Sequence, residues 1–147
     1  MLTGFLHIHS LLRYVLLILL LISIVKSFGG WFGKKQFTEG TRKINLFTLI
    51  SAHLQLVVGF VVYSLSPEVQ FSNFAQATKE VRFFTVEHIT MMILSIALIT
   101  IGYSSSKKGK TDETKYKRIA IFFLLALIVI FIAIPWPWSA VARGWTP

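Results

Sequence analysis

The histidines of this chain are concentrated where imidazole is least expected. All 4 of them lie within long apolar segments or at their edges, although a side chain of this polarity would favour the loops. Inside a bilayer, an imidazole, guanidinium or carboxylate is costly and marks a buried functional contact by default. A neutral imidazole is also a common metal ligand. The distribution therefore predicts a buried site for a metal or cofactor. The polar residues of these segments are His7, His9, Arg13, His53, Gln55, Glu87 and His88.

Depth in the membrane selects one pair of histidines. At roughly 1.5 Å per residue, His9 and His88 both lie roughly 5–10 Å below the same membrane surface, whereas His53 lies roughly 16 Å deep. Two imidazoles at matched depth on diagonal helices can bind one haem iron from both sides, and such a haem suits electron transfer since no position stays open. We predict His9 and His88 as the axial ligands, with His53 or His7 as alternatives.

Nearby charged residues are predicted to serve the same site. Arg13 is one turn from His9 on the same helix face, from which its guanidinium can reach Glu87 or a haem propionate. Arg82, at the membrane surface, is placed to bind the second propionate. A plain ion pair of Arg13 with Glu87 is the structural alternative. The residues predicted to contact a cofactor are Arg13, Arg82, Glu87 and His53, and Gln55 is predicted as an interhelical polar contact.

Four apolar segments must position these side chains. The chain is 54% hydrophobic and 14% charged, whereas soluble domains have about 25% charged residues. Each segment has about 20 residues, which a helix needs to cross roughly 30 Å of hydrocarbon. No signal-peptide cleavage site follows the first segment, and we expect Lys26 and the Gly29-Gly30 pair to end it. The predicted spans are 5–25, 44–65, 83–103 and 118–136, within a single transmembrane domain of residues 1–147.

The loops give the bundle an orientation. Loops one and three are strongly basic, and the net charge is +9. By the positive-inside rule these loops are cytoplasmic, so both termini are periplasmic in a bacterial inner (cytoplasmic) membrane. Short connections predict an all-α, up-down, integral membrane four-helix bundle with helices one and three diagonal. Gly59 and Gly102 are expected to allow close helix approach. The basic residues of the two loops are Lys26, Lys34, Lys35, Arg42, Lys43, Lys107, Lys108, Lys110, Lys115, Lys117 and Arg118.

The composition argues against several functional classes. The absence of cysteine excludes disulfides, thiolate metal sites and cysteine nucleophiles. The positive charge flanks apolar spans, so its expected partner is anionic membrane lipid and not nucleic acid. No Ser/His/Asp triad, phosphate-binding glycine loop or zinc-protease motif is present, which argues against a hydrolase. The tryptophans are expected to anchor the helices at the membrane interfaces. They are Trp31, Trp136, Trp138 and Trp145.

Four short strings carry most of these residues. They are LHIHSLLRY at 6–14, HLQL at 53–56, RFFTVEH at 82–88 leading into Met91 and Met92, and IPWPW at 134–138. As a set they resemble short bacterial four-helix membrane proteins labelled cytochrome b-like. The resemblance covers essentially the whole chain. It implies a b-type haem and an electron-transfer role, and it names no reaction.

Three functional hypotheses follow. The principal one is a haem b protein that relays electrons in the inner membrane, with quinol or other membrane subunits as partners. It would act as an electron-transfer protein or subunit and not as a stand-alone enzyme. The second is a non-catalytic accessory or scaffold subunit of a larger membrane complex, in which the histidines and an Arg13–Glu87 pair make buried polar contacts. The third is copper handling through His7, His9 and the Met91-Met92 pair, since a thioether is a soft ligand.

Overall fold

Four long helices account for most of the molecule. A computed structural model describes residues 1–136 and 138. The helices are α1 (Leu2–Phe32), α2 (Glu39–Leu65), α3 (Lys79–Lys107) and α4 (Asp112–Ala133), and each is long and apolar enough to cross a membrane. This confirms the predicted all-α fold with four candidate spans. The connection between α2 and α3 contains a short 3-10 turn at Phe74–Gln76. Pro137 of the IPWPW string and Trp145 lie outside the described residues.

The helices pack as a ring of four. α1 lies against α2 and α4, and α3 lies against the same two helices. Helices α1 and α3 are therefore diagonal, as the short loops predict. The start of α1, the 66–78 connection and the end of α4 form one end of the bundle, which we call the histidine end. The 33–38 and 108–111 connections form the opposite end, which we call the basic end.

The buried face of α2 is more polar than its exposed face. The buried face of α2 is made of Thr41, Asn45, Thr48, Ser51, Ala52 and Gln55, whereas large side chains such as Phe47 and Val57 are exposed. Lipid tails are as apolar as leucine, so small and polar side chains are the ones that bring helices together in a membrane. The hydroxyls of Ser23 and Thr48, 2.9 Å apart, are one such contact between α1 and α2.

The first helix extends further than its sequence predicts. The expectation that Lys26 and the Gly29-Gly30 pair end α1 is wrong, because the helix continues to Phe32. A Cβ built at Gly30 would lie only 2.4 Å from Cζ of Tyr116 in α4. The Tyr116 hydroxyl donates a hydrogen bond of 2.8 Å to the Gln36 carbonyl. Gly30 is therefore a place of close helix approach and does not stop the helix.

The other three helices begin before the predicted apolar spans because threonine hydroxyls cap them, and Thr78 caps α3 in the way described next for α2 and α4. The Thr38 hydroxyl accepts from the Thr41 backbone N–H at 3.2 Å, so α2 starts at Glu39. The Thr111 hydroxyl accepts from the Thr114 N–H at 3.1 Å, so α4 starts at Asp112. Both caps satisfy backbone donors that a helix leaves unpaired at its first turn.

Candidate functional site

A cavity of about 160 Å³ lies between the four helices at the histidine end. Its wall is mostly apolar, with a few polar side chains that converge on it. Every helix contributes to the lining, so the cavity forms only when the whole bundle is assembled. An apolar cavity with a few convergent polar groups is the usual form of a small-molecule site. Its lining includes His9 and Arg13 from α1, Gln55 and Gly59 from α2, His88 from α3 and Ile130 from α4.

An irregular turn of α3 leads into the cavity. Residues Phe83–Glu87 form a π-helical turn, and the regular α-helix resumes at His88. A π turn inserts an extra residue, so the chain before it presents different faces from those of an uninterrupted α-helix. The Tyr63 hydroxyl from α2 donates to the Thr85 carbonyl at 2.7 Å, which satisfies a backbone acceptor within this turn. Such turns are frequent at functional sites.

The His88 ring is held in one orientation. Its Nδ1 lies 2.8 Å from the carbonyl oxygen of Ala133, the last residue of α4. A carbonyl can only accept, so Nδ1 donates, and in the neutral ring Nε2 then carries the free lone pair. The rings of Phe83 and Phe84 lie beside it, with centroid distances of 5.6 and 6.0 Å. A backbone carbonyl that fixes the tautomer is the usual second partner of a metal-binding histidine.

The His9 ring lies beside α2. The Gln55 side-chain amide donates to the His9 backbone carbonyl at 3.0 Å, as expected for an interhelical polar contact. A Cβ built at Gly59 would lie 3.2 Å from Cε1 of His9. This contact is tight, so the ring occupies space that a side chain at position 59 would restrict. The Nδ1 atom of His9 is buried and has no hydrogen-bond partner, a condition that costs about 1–3 kcal/mol.

His9 and His88 come together across the diagonal of the bundle. Their ring centroids are 6.4 Å apart, and the ring planes make an angle of 74°. An imidazole nitrogen binds a transition metal at about 2.0–2.1 Å, so two imidazoles on opposite sides of one metal have ring centres roughly 6 Å apart. The observed separation is therefore compatible with a shared metal. This is the pair of histidines that matched depth selects from the sequence.

Arg13 places a positive charge at the cavity wall. Its Nη2 donates to the hydroxyls of Ser10 and Tyr14, with both distances 3.1 Å. The guanidinium also lies over the Tyr14 ring, 4.7 Å from its centroid. This is a cation–π contact, in which the face of the ring attracts the positive charge. These contacts fix the guanidinium beside the cavity, where it can pair with an anionic group of a ligand.

Other residues predicted for the site lie elsewhere. His53 is exposed, and its Nε2 lies 3.1 Å from the Thr100 hydroxyl. His7, Arg82 and Glu87 are exposed and do not line the cavity. Glu87 is exposed and does not line the cavity, whereas Arg13 lines it, so the contact between Arg13 and Glu87 stays a prediction.

A bare metal ion would find few protein ligands here. Within residues 1–136 and 138, no group of three or more histidine, aspartate or glutamate side chains is arranged to hold a metal ion. A metal between His9 and His88 would therefore depend on ligands that come with a cofactor. Comparisons with known proteins found no matching family model, curated protein or solved structure.

Proposed function

We propose that this chain is a haem b-binding protein that relays electrons in the bacterial inner (cytoplasmic) membrane, with His9 and His88 as the two axial ligands. The observation that carries the proposal is the approach of these two imidazoles, 6.4 Å between centroids, beside an apolar cavity between all four helices. The bundle core is a common position for such cofactors.

The side chains around the cavity fit an axially ligated macrocycle. Two histidines are too few for a tetrahedral metal site, but a porphyrin supplies four nitrogens of its own. His88 has the tautomer that leaves Nε2 for a metal, because its Nδ1 bonds to the Ala133 carbonyl. His9 has a buried Nδ1 without a partner, and bonding of that ring to a ligand would offset part of its desolvation cost.

The cavity must widen to accept a porphyrin. Its volume of about 160 Å³ is below the roughly 300–1,000 Å³ of typical small-molecule pockets. The unbranched side chain of Met92 lines the cavity, and thioethers of this kind adapt readily to an irregular space. The His88 ring is held by its hydrogen bond to the Ala133 carbonyl, so we expect the widening to come from the apolar lining.

Arg13 is the residue proposed to hold a propionate. Among the described residues, it is the arginine or lysine that lines the cavity, and its contacts with Ser10 and Tyr14 hold the guanidinium in place. A carboxylate in a low-dielectric environment is costly unless it is paired with a cation. Arg82 and Glu87 are exposed, so we propose no direct role for them inside the cavity.

The two axial histidines define the kind of chemistry. Haem b bound here would supply a one-electron carrier. With His9 and His88 both bound to the iron, no position would be left for a substrate or for oxygen, which would favour electron transfer. We propose quinol or another membrane subunit as the electron partner. The basic end is proposed to face the cytoplasm by the positive-inside rule, which puts the cavity and both termini toward the periplasm.

The test is the absorbance spectrum of the purified full chain, produced in a bacterial host supplied with a haem precursor. We expect a Soret band, a sharp α band on reduction, and a haem content near one per chain. Circular dichroism of the same sample reports whether the helices are formed. A helical protein that binds no haem when haem is added would contradict the proposal and would favour the accessory-subunit hypothesis.

A further inference from the structure

A second pocket lies at the basic end of the bundle, opposite the histidine cavity. Its volume is about 230 Å³, and it is formed where the start of α2, the end of α3 and the start of α4 meet. We call it the basic pocket. None of its lining residues lines the histidine cavity, so any ligand it binds is independent of a haem. Its polar lining includes Arg42, Asn45, Tyr103, Ser106, Lys107 and Lys115.

Asn45 lies at the floor of the basic pocket. It is 1% exposed, and both its Nδ2 and its Oδ1 lack a hydrogen-bond partner. It lies six residues into α2, which places it about 9 Å below the start of the helix at 1.5 Å per residue. Buried amides in native proteins are nearly always bonded, and an unbonded one calls for a partner such as a ligand or an ion. A polar ligand in the pocket would supply that partner.

The wall of the pocket is positively charged. Arg42, Lys107 and Lys115 line it against one carboxylate, that of Glu39. Glu39 forms its ion pair with Arg42. The two lysines instead lie over aromatic rings: Nζ of Lys107 is 5.5 Å from the Tyr103 centroid, and Nζ of Lys115 is 5.6 Å from that of Phe37. The pocket therefore retains positive charge that Glu39 does not balance.

Tyr103 adds a hydroxyl donor to this wall. Nη1 of Arg42 donates to the Tyr103 hydroxyl oxygen at 3.2 Å. That oxygen accepts in this contact, so its own hydrogen can donate to a ligand. The pocket thus combines two lysine ammonium groups, a phenol and a buried amide. These are donors suited to an anion with several acceptor oxygens.

We propose that the basic pocket binds the phosphate group of an anionic ligand, with Lys107 and Lys115 at its wall and the Asn45 amide at its floor. The amide Nδ2 donates to one phosphate oxygen, and a hydroxyl of the ligand donates to Oδ1, either the P–OH of a free phosphate compound or a hydroxyl of the lipid headgroup. The phosphate belongs either to an anionic phospholipid headgroup or to a free phosphate compound. Basic pockets between transmembrane helices on the cytoplasmic side are known to hold anionic headgroups.

The test compares two double variants with the same loss of charge. Lys107→Gln with Lys115→Gln removes the pocket lysines, and Lys108→Gln with Lys110→Gln removes exposed lysines of the 108–111 connection between the same two helices. The full chain, stripped of lipid in a neutral detergent, is titrated at constant ionic strength with inorganic phosphate or with phosphatidylglycerol, and binding is followed by the rise in unfolding temperature. We expect the pocket variant to bind about tenfold more weakly, and the control within about twofold of wild type.

The two probes distinguish the source of the phosphate. Stabilisation by inorganic phosphate indicates a free phosphate compound, and stabilisation by phosphatidylglycerol with no response to inorganic phosphate indicates a lipid headgroup. Either result supports the site when the pocket variant weakens it. Equal weakening in both double variants would mean general charge attraction and would overturn the proposal, as would the absence of stabilisation by both probes.

Asn45→Leu tests the floor of the pocket separately. Leucine has the same number and branching of side-chain heavy atoms as asparagine, and it removes an amide that has no partner in the free protein. Without ligand, the variant is expected to unfold at the same temperature as the wild type or at a higher one. It should also reduce the affinity for the effective probe about tenfold. Unchanged affinity would show that Asn45 does not contact the ligand, contrary to the proposal.

Discussion

His88→Ala is expected to abolish the low-spin haem spectrum and to weaken haem binding at least about tenfold, equivalent to about 1.4 kcal/mol. His88 supplies one of the two proposed axial ligands. The bond from its Nδ1 to the Ala133 carbonyl orients the ring and leaves Nε2 for the iron. Without it one axial position opens, and the iron becomes high-spin. The measurement is a titration of the purified, helical variant with haem, followed by its Soret band.

His53→Ala is the matched control for this variant. It also removes a histidine from a span, but His53 is exposed and bonded to Thr100, so we expect the wild-type spectrum and affinity. Free imidazole added to the His88→Ala protein should restore the low-spin spectrum, which a merely structural histidine would not allow. If His88→Ala retains the low-spin bands, or His53→Ala loses them, the assignment of the axial ligands is wrong.

Gly59→Val is expected to weaken haem binding by about 1–3 kcal/mol, or about 5- to 150-fold. Even a Cβ at position 59 would lie 3.2 Å from Cε1 of His9, and the two methyl groups of valine add further bulk beside that ring. The atoms around position 59 can move only a little to accommodate the valine. The His9 ring must therefore turn or shift away from the position opposite His88. Haem affinity and the spectrum of the oxidised protein measure this displacement.

Gly4→Val serves as the control for the glycine substitution. Gly4 lies on the same helix as His9, and a Cβ built there meets no atom within 4 Å. The same change of residue type should therefore leave haem affinity within about twofold of wild type, since exposed helix substitutions act mainly through small propensity differences. Equal effects of the two valines, with unfolding temperatures matched, would contradict the role given to Gly59.

The broad architecture could be predicted because a bilayer constrains it strongly. Hydrocarbon thickness fixes the length of a span, and short loops make consecutive helices antiparallel neighbours. The ends of the helices were less predictable. The continuation of α1 through Gly30 depends on the ring of Tyr116, a residue distant in the sequence. The start of α4 depends on the Thr111 cap, which lies before the apolar run.

The sequence could predict how deep in the membrane the candidate site lies, but not which face of each helix its side chains occupy. Depth along a helix was enough to pair His9 with His88, and one-turn spacing was enough to place Arg13 near the cavity. Depth along a helix does not say which face of the helix a side chain occupies. His53 and Glu87 were therefore assigned to the site, although both are exposed. The π turn at Phe83–Glu87 also alters the rotation of side chains about the helix axis, because each helical residue turns by about 100° and one extra residue changes the face presented.

The polar groups that support the histidines were also hard to foresee. Ala133 acts through its backbone carbonyl, which carries no signal in the sequence. Gly59 was noticeable in the sequence, since a glycine inside a helix lowers stability by about 0.8–1.0 kcal/mol relative to alanine and is usually kept for packing or function. The expected reason was close helix approach. The structure instead has the His9 ring beside Gly59, whereas Gly102 does allow close approach, with a built Cβ only 2.7 Å from Cβ of Phe122.

The claim that His9 and His88 share one haem iron is tested most directly by low-temperature electron paramagnetic resonance of the oxidised wild-type protein. Two axial imidazoles give a low-spin ferric signal, and ring planes as far from parallel as 74° should make that signal strongly anisotropic. We expect one such signal, with an intensity that matches the haem content. A high-spin ferric signal in haem-loaded protein would contradict the claim, because it would mean that one axial position is open.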